Sequence, residues 1–389
     1  MTRDEYDCIV IGLGGLGSAA AYWFAREGGG RVLGLEQFEL GHARGSSEDH
    51  SRIIRHSYHT PAYVRLTRDA YATWTLVEED AREALVLITG GLDFAPQDSA
   101  TGIEPHRESM QSAGIEFEYL DAGGIMRRWP QFRLGEDVHG LYQPHGGLVM
   151  ASNANAAHRR LARAHGAELR ENTPVLSIEA RDGEVRVRTD TEWLAGRSLV
   201  LAAGSWCNGL LGHLGVNLPL EVTQEQVSYY MTFNAAAFAP GRFPIWIWLD
   251  DPCFYGFPVF GDYGLKAAQD AGGRRVTADS RGFEPDRDME RRLSRFLAHC
   301  LPGAVGPILQ TRTCLYTLPP DRDFIVGAVP GHDNIFMTVG AGHAFKFASW
   351  IGRTLAGLAA GRTPGAELAP FAADRPVLHA EDPPRQYRL

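Results

Sequence analysis

Residues 6–36 read YDCIVIGLGGLGSAAAYWFAREGGGRVLGLE. The run YDCIVI at 6–11 is short, apolar and rich in β-formers, which predicts a strand. Glycines from Gly12 to Gly17 break it, and 18–27, SAAAYWFARE, is helix-compatible. Gly28 to Gly30 stop that helix, and 31–36, RVLGLE, predicts a second strand ending in an acid, Glu36. Strand, turn, helix and strand within about 30 residues make a βαβ unit. Its turn carries Gly12-x-Gly14-x-x-Gly17. The first glycine permits a tight turn, the second lets backbone approach a pyrophosphate, and the third allows helix and strand to pack closely. The helix N-terminus offers N–H groups and partial positive charge to phosphates. Glu36 lies about 20 residues past the turn, where a carboxylate reaches ribose hydroxyls. A lone glycine fingerprint is weak, but here the strand, helix, spacing and acid coincide. The fingerprint does not separate FAD from NAD, nor does it name a reaction.

The rest of the chain is organised around that unit. Residues 61–85 and 152–166 have helical patterning, the second with Ser152 or Asn153 as a candidate cap. Val175–Ile178 and Glu184–Arg188 predict short strands about an Asp182–Gly183 turn, and Leu199–Ala203 a buried parallel strand ended by Gly204. Ile335–Val339 predicts another strand, followed by a helix over 343–360. Aromatic residues crowd into 243–263, where Trp246 and Trp248 alternate and one of them is expected to face a pocket. Pro383 and Pro384 predict a surface tail. The fold expected is α/β. A Rossmann-type nucleotide-binding domain takes 1–85, 145–220 and 320–389. An interleaved α+β substrate domain with an antiparallel sheet takes 86–144 and 221–319.

With 389 residues, about two domains are expected. Acidic side chains outnumber basic ones 47 to 38, which argues against a basic nucleic-acid surface but leaves room for a local cationic pocket. The five cysteines are scattered, odd in number and without CxxC spacing, so neither a disulfide framework nor a zinc site is indicated. Met1 to Asp7 is polar and no apolar run reaches the ~18 residues needed to span a bilayer. A cytoplasmic protein without a membrane or nucleic-acid partner is expected.

Chemistry concentrates in a few segments. Arg52 and Arg55 are three apart, which on a helix would share a face. Either a solvated basic face or a guanidinium grip on a carboxylate satisfies that pattern. Lys266 follows Gly264-Leu in an aromatic-rich stretch, and Lys346 follows a glycine-rich turn among apolar neighbours. Each suits an ordinary snorkelling lysine as well as a site. Cys314, in RTCLYT, suits core packing, as does Cys8 in the first strand.

Six segments in order resolve these alternatives: Ser51-Arg-Ile-Ile-Arg-His56, Tyr255-Gly-Phe-Pro258, Gly264-Leu-Lys266, Cys314-x-Tyr316, Asp323-Phe-Ile325 and Gly342-His-Ala-Phe-Lys-Phe347. With them the chain resembles, over nearly its whole length, the monomeric sarcosine oxidase and N-methyltryptophan oxidase family within the D-amino-acid oxidase superfamily. The resemblance implies FAD, an amino-acid substrate, dioxygen and a monomer. It implies that Arg55 and Lys346 clamp the substrate carboxylate, and that Arg52 and His343 lie near the flavin. It also implies that Tyr255 lines the substrate pocket, that Lys266 activates oxygen, and that Cys314 carries a thioether to the flavin 8α-methyl. The implied reaction oxidises a secondary amino acid to an imine with release of hydrogen peroxide. An FAD-dependent dehydrogenase using a carrier instead of dioxygen is the alternative. One departure stands out: where the family has a histidine four residues after its lysine, this chain has Asp270. A carboxylate there either pairs with an ammonium group, repels a substrate carboxylate, or points to solvent.

Overall fold

The computed structural model describes residues 5–181, 183–261, 263–383 and 385. Met1–Asp4, Asp182 of the anticipated turn and Pro384 of the anticipated tail lie outside the described residues. The deciding stretch forms β1 (Glu5–Ile11), α1 (Gly15–Glu27) and β2 (Val32–Leu35). β1 and β2 are parallel, with Cys8 opposite Val32 and Ile11 opposite Leu35. Glycine is required at the turn for steric reasons. Gly12 sits at φ +89°, and a Cβ there would fall 2.6 Å from Ala202 O. A Cβ at Gly17 would fall 1.8 Å from Gly12 O, so the first turn of α1 rests directly on the end of β1.

Among the described residues the strands form three sheets. In the first, β1 lies between β2 and Trp193–Leu201, all parallel. Glu168–Arg170 extends the parallel set beyond β2, and Ile335–Val339 beyond Trp193–Leu201. Ser177–Arg181, Glu184–Arg188 and Ile325–Ala328 add antiparallel strands. Strands buried on both faces need apolar cover. It comes from α1, whose residues Ala19 to Phe24 are all buried, and from the helix Ala348–Ala359. Those helices touch closely, since a Cβ at Gly352 would lie 2.5 Å from Ala19 Cβ.

The second sheet draws strands from 91–143 and 221–318 and is mostly antiparallel. Its longest pair is Glu221–Tyr230 with Ile308–Leu318. Ile245–Trp248 instead joins Gly91–Pro96 in parallel. Leu92, Phe94, Phe132, Phe243, Trp246 and Phe254 pack beneath it as an aromatic core. The third sheet contains β3 (Arg52–Ile54), between 51 and 56, where the arginine spacing admitted a helix. That reading is corrected: these residues pair antiparallel with Gly147–Val149, which also pairs with Val86–Ile88.

Other elements match their anticipated places with shifted ends, including α2 (Pro61–Ala81) and the helix Ala151–Ala164. Met150 rather than Ser152 or Asn153 occupies the N-cap of the latter, because the Ser152 hydroxyl donates to Asp49 O at 2.8 Å. Pro383 is buried, not displayed on a surface tail. No helix among the described residues is long and apolar enough to cross a membrane. The clash at Gly17 gives a direct expectation. Gly17→Ala should destabilise the fold by roughly 1–3 kcal/mol through overpacking, read as a lowered midpoint in chemical denaturation.

Candidate active site

A cavity of about 480 Å³ runs from the glycine turn to the second sheet. Its wall includes Gly12, Gly14 and Glu36 at one end, and Arg52, Arg55, Tyr255, Lys266, Asp270, Cys314, His343 and Lys346 farther along. Of the anticipated site residues only Gly17 is absent from this wall, which its steric role under α1 explains.

At the fingerprint end, Glu36 Oε2 accepts the Leu13 N–H at 2.9 Å and Oε1 accepts the Phe38 N–H at 3.2 Å. His42 Nε2 lies 3.3 Å from Oε1. Burial alone would raise the Glu36 carboxyl, but these donors outweigh it and hold the group below the usual carboxylate range. The carboxylate is therefore fixed and ionised, with lone pairs still free for hydroxyl donors. The helix N-terminus is less open than the sequence implied, because the Ser47 hydroxyl accepts the Gly15 N–H at 2.8 Å and sits against Gly14.

Arg55, Lys266 and Lys346 of the wall are buried and Arg52 is partly so, and all of these but Lys346 have a counter-ion among the described residues. Arg55 Nη1 donates to Asp93 Oδ2 at 2.6 Å, with side-chain exposures of 3% and 0%. Arg52 Nη1 and Lys266 Nζ both donate to Asp49 Oδ2, at 2.8 and 2.5 Å. Asp270 does not point to solvent. Arg322 Nη2 donates to its two oxygens at 2.9 and 2.7 Å, and Tyr316 OH lies 3.4 Å away. Lys346 differs: Nζ donates to Tyr58 OH at 2.9 Å and His343 O at 2.8 Å, and among the described residues no carboxylate pairs with it. Burial, reinforced by the nearby Arg55 charge, pushes the Lys346 ammonium well below its ordinary range. Burial and the Lys346 charge likewise keep the His343 imidazole neutral. Burial pushes the Cys314 thiol up to about 11 against the opposing pull of Arg52.

The tryptophan expectation is corrected. Residues two apart on a strand share a face, and both Trp246 and Trp248 turn toward the aromatic core, against Phe94 and Phe296. Ile247, between them, lines the cavity instead.

A model of FAD dependent oxidoreductases matches residues 7–358. This chain belongs to that family. A monomeric sarcosine oxidase of Streptomyces avermitilis is 37% identical over 364 residues, 91% of this chain and 93% of that one. An N-methyl-L-tryptophan oxidase of Salmonella typhimurium is 32% identical over 377 residues, 95% of this chain and 99% of that one. The open form of NikD, an amino acid oxidase essential for nikkomycin biosynthesis, superposes with a TM-score of 0.85 at 29% identity, over 95% of this chain and 98% of that one.

The structure of this FAD-dependent oxidoreductase fits its cofactor on its own terms. The cavity is elongated from a close-approach glycine turn, past a fixed carboxylate, to a cationic end. Sequence reasoning missed Asp49, Asp93, Arg322 and Tyr58. Asp93 left a signal, a lone acid in the apolar strand GLDFAP; the others left none in local patterning. Removing one partner of a buried pair strands the other charge. Asp93→Ala should therefore cost about 3–5 kcal/mol, read as a fall in thermal midpoint, with Asp93→Asn milder because its amide oxygen still accepts from Arg55.

Proposed function

We propose that this chain oxidises the C–N bond of a secondary amino acid, N-methylated or cyclic, to an imine that water hydrolyses, with dioxygen reduced to hydrogen peroxide. The observation that carries the reading is Lys346: a buried amine beside Arg55 on the cavity wall, whose charged form no carboxylate of the described protein balances. An anionic substrate supplies that balance. Arg55 is already countered by Asp93, so it contributes hydrogen-bond direction more than net charge, while Lys346 becomes the charged partner once the substrate carboxylate stabilises its ammonium. Together they fix the amino acid by its carboxylate and set the amine-bearing carbon in place, which is an orientational contribution to rate.

When bound, FAD supplies the two-electron acceptor for the hydride equivalent that the substrate loses. Gly12, Gly14 and Gly17 would shape its pyrophosphate turn, Glu36 would take its ribose, and Cys314 would hold its ring by a thioether. The protein's own groups do the rest. Tyr255 forms the pocket wall, and Arg52 and neutral His343 lie along the region given to the ring. Asp270, held by Arg322 on the cavity wall, would accept a donor from the substrate, such as its amine N–H. Lys266 provides the fixed positive charge that favours dioxygen reduction. No strong general base is required, because the amine reacts in its neutral form. Residues 1–85, 145–220 and 320–389 carry the nucleotide and the carboxylate clamp, and 86–144 and 221–319 close the pocket over them. The reading includes a cytoplasmic monomer; the monomeric relatives support the second term.

Two measurements follow. Acid precipitation of the purified yellow protein should leave the colour in the pellet, and Cys314→Ser should release it to the supernatant; release from the unaltered protein contradicts the thioether. Lys346→Ala should raise KM for an N-methyl amino acid by roughly 10–100-fold, the worth of one charge-assisted hydrogen bond. An unchanged KM in an initial-rate peroxide assay contradicts the clamp.

A further inference from the structure

Asp49 stands at the centre of a buried charge cluster that belongs to none of the sequence motifs. It precedes β3 and is nearly inaccessible. Oδ2 accepts from Lys266 Nζ at 2.5 Å and from Arg52 Nη1 at 2.8 Å, and Oδ1 accepts from Tyr229 OH at 2.6 Å. Lys266 Nζ also donates to Ser51 O at 2.5 Å. An ammonium has three N–H donors. Two are committed to Asp49 and Ser51, and one remains for the cavity that Lys266 lines. Asp49 thus fixes where the lysine head sits and which way its last donor points.

We propose that Asp49 is a positioning residue for the reaction with dioxygen, setting the place and the charge of the Lys266 ammonium. The inference rests on the reading of Lys266 given above. In that reaction dioxygen takes two electrons from the reduced cofactor and two protons, from cofactor and solvent, and leaves as hydrogen peroxide while the cofactor returns to its oxidised form. The first electron places negative charge on oxygen. A cation already held in position stabilises that charge without reorganising.

The charge of Lys266 depends on its surroundings. The groups facing it are Asp49 and His50 ahead of β3, Arg52 on β3, Tyr229 on Glu221–Tyr230, and Arg312 and Cys314 on Ile308–Leu318. His50 is pushed down to about 4 by burial and by Lys266, so it is neutral near pH 7. Tyr229 is raised by burial, and Cys314 carries no charge either as the free thiol, which burial raises, or as a thioether. Asp49 is left as the one ionised acid in direct contact with the lysine, among the described residues. Burial would raise the Asp49 carboxyl, but Lys266 and Arg52 hold it far below its usual range. Since Asp49 is shared with Arg52, it offsets the burial of Lys266 only in part, and the ammonium is pushed down to about 8. Lys266 is therefore protonated below that pH and loses its charge above it. Removing the Asp49 charge moves the loss to lower pH.

The test uses the full-length FAD-loaded protein in a stopped-flow instrument, with reduction by substrate and reoxidation by dioxygen recorded separately across pH. The visible spectrum of the oxidised flavin is also titrated, which requires no turnover. Asp49→Asn should slow reoxidation at least about tenfold more than reduction, and should move the spectroscopic step from near pH 8 to lower pH. Lys266→Met should slow reoxidation and abolish the step. Asp49→Glu keeps the charge but displaces it, so reoxidation should slow while the step stays near its original pH; this variant carries the comparison if the asparagine protein does not fold. Reoxidation and titration of Asp49→Asn or, failing that, Asp49→Glu at wild-type rates, with Lys266→Met slow, overturns the role of Asp49 and leaves that of Lys266. Fast reoxidation of Lys266→Met overturns the lysine reading itself.

Discussion

The cost of keeping cations away from water shapes this molecule. Arg52, Arg55, Lys266 and Lys346 line one cavity and buried Arg322 stands behind Asp270 of its wall, and a charge buried alone costs several kcal/mol. Three aspartates reduce that cost. Asp49 comes from the chain ahead of β3, Asp93 from a strand of the second sheet, and Asp270 from the end of another strand of that sheet. Each pair joins segments far apart in sequence: Asp49 reaches Lys266, Arg55 reaches Asp93 and Arg322 reaches Asp270. The ion pairs are thus also the ties that hold the second sheet against the β3 region and the segment carrying Arg322. Lys346 stands outside this arrangement, held by a tyrosine hydroxyl and a carbonyl, and burial disfavours its charged form until an anion balances it.

The nucleotide end obeys a different constraint. There the limiting quantity is space, since Gly12 and Gly17 leave no room for a Cβ between β1 and α1. This close packing brings the N-terminus of α1 to the cavity. The fixed carboxylate of Glu36 stands at the end of β2, where the parallel sheet ends. A long cavity with a sterically shaped phosphate turn at one end and balanced cations at the other suits a dinucleotide carrying a redox ring, with a small anion beside that ring.

Much of this was legible in the sequence, and the reasons differ by region. The βαβ unit could be read because its strand and helix periods are local and its glycines occupy positions only glycine tolerates. The residues that line the cavity could be anticipated because they fall in short ordered segments that resemble those of a family. The counter-ions could not: Asp49 and Lys266 are 217 positions apart, and no local pattern relates them. Arg52 and Arg55 were open to a helical reading because spacing alone does not reveal that Arg52–Ile54 pairs with Gly147–Val149 as a strand, with Arg55 just past its end. Trp246 and Trp248 were misjudged because alternation places residues two apart on one face, leaving Ile247 to look the other way.

The central claim is that the cavity holds an amino acid by its carboxylate while its C–N bond is oxidised. The most direct measurement mixes the FAD-loaded protein, without oxygen, with an N-methyl amino acid and, separately, with the amide of that amino acid, following the visible flavin band. The account expects the acid to bleach the band quickly and the neutral amide to do so far more slowly at equal concentration. Bleaching at equal rates, or none with any N-methyl or cyclic amino acid, would contradict it.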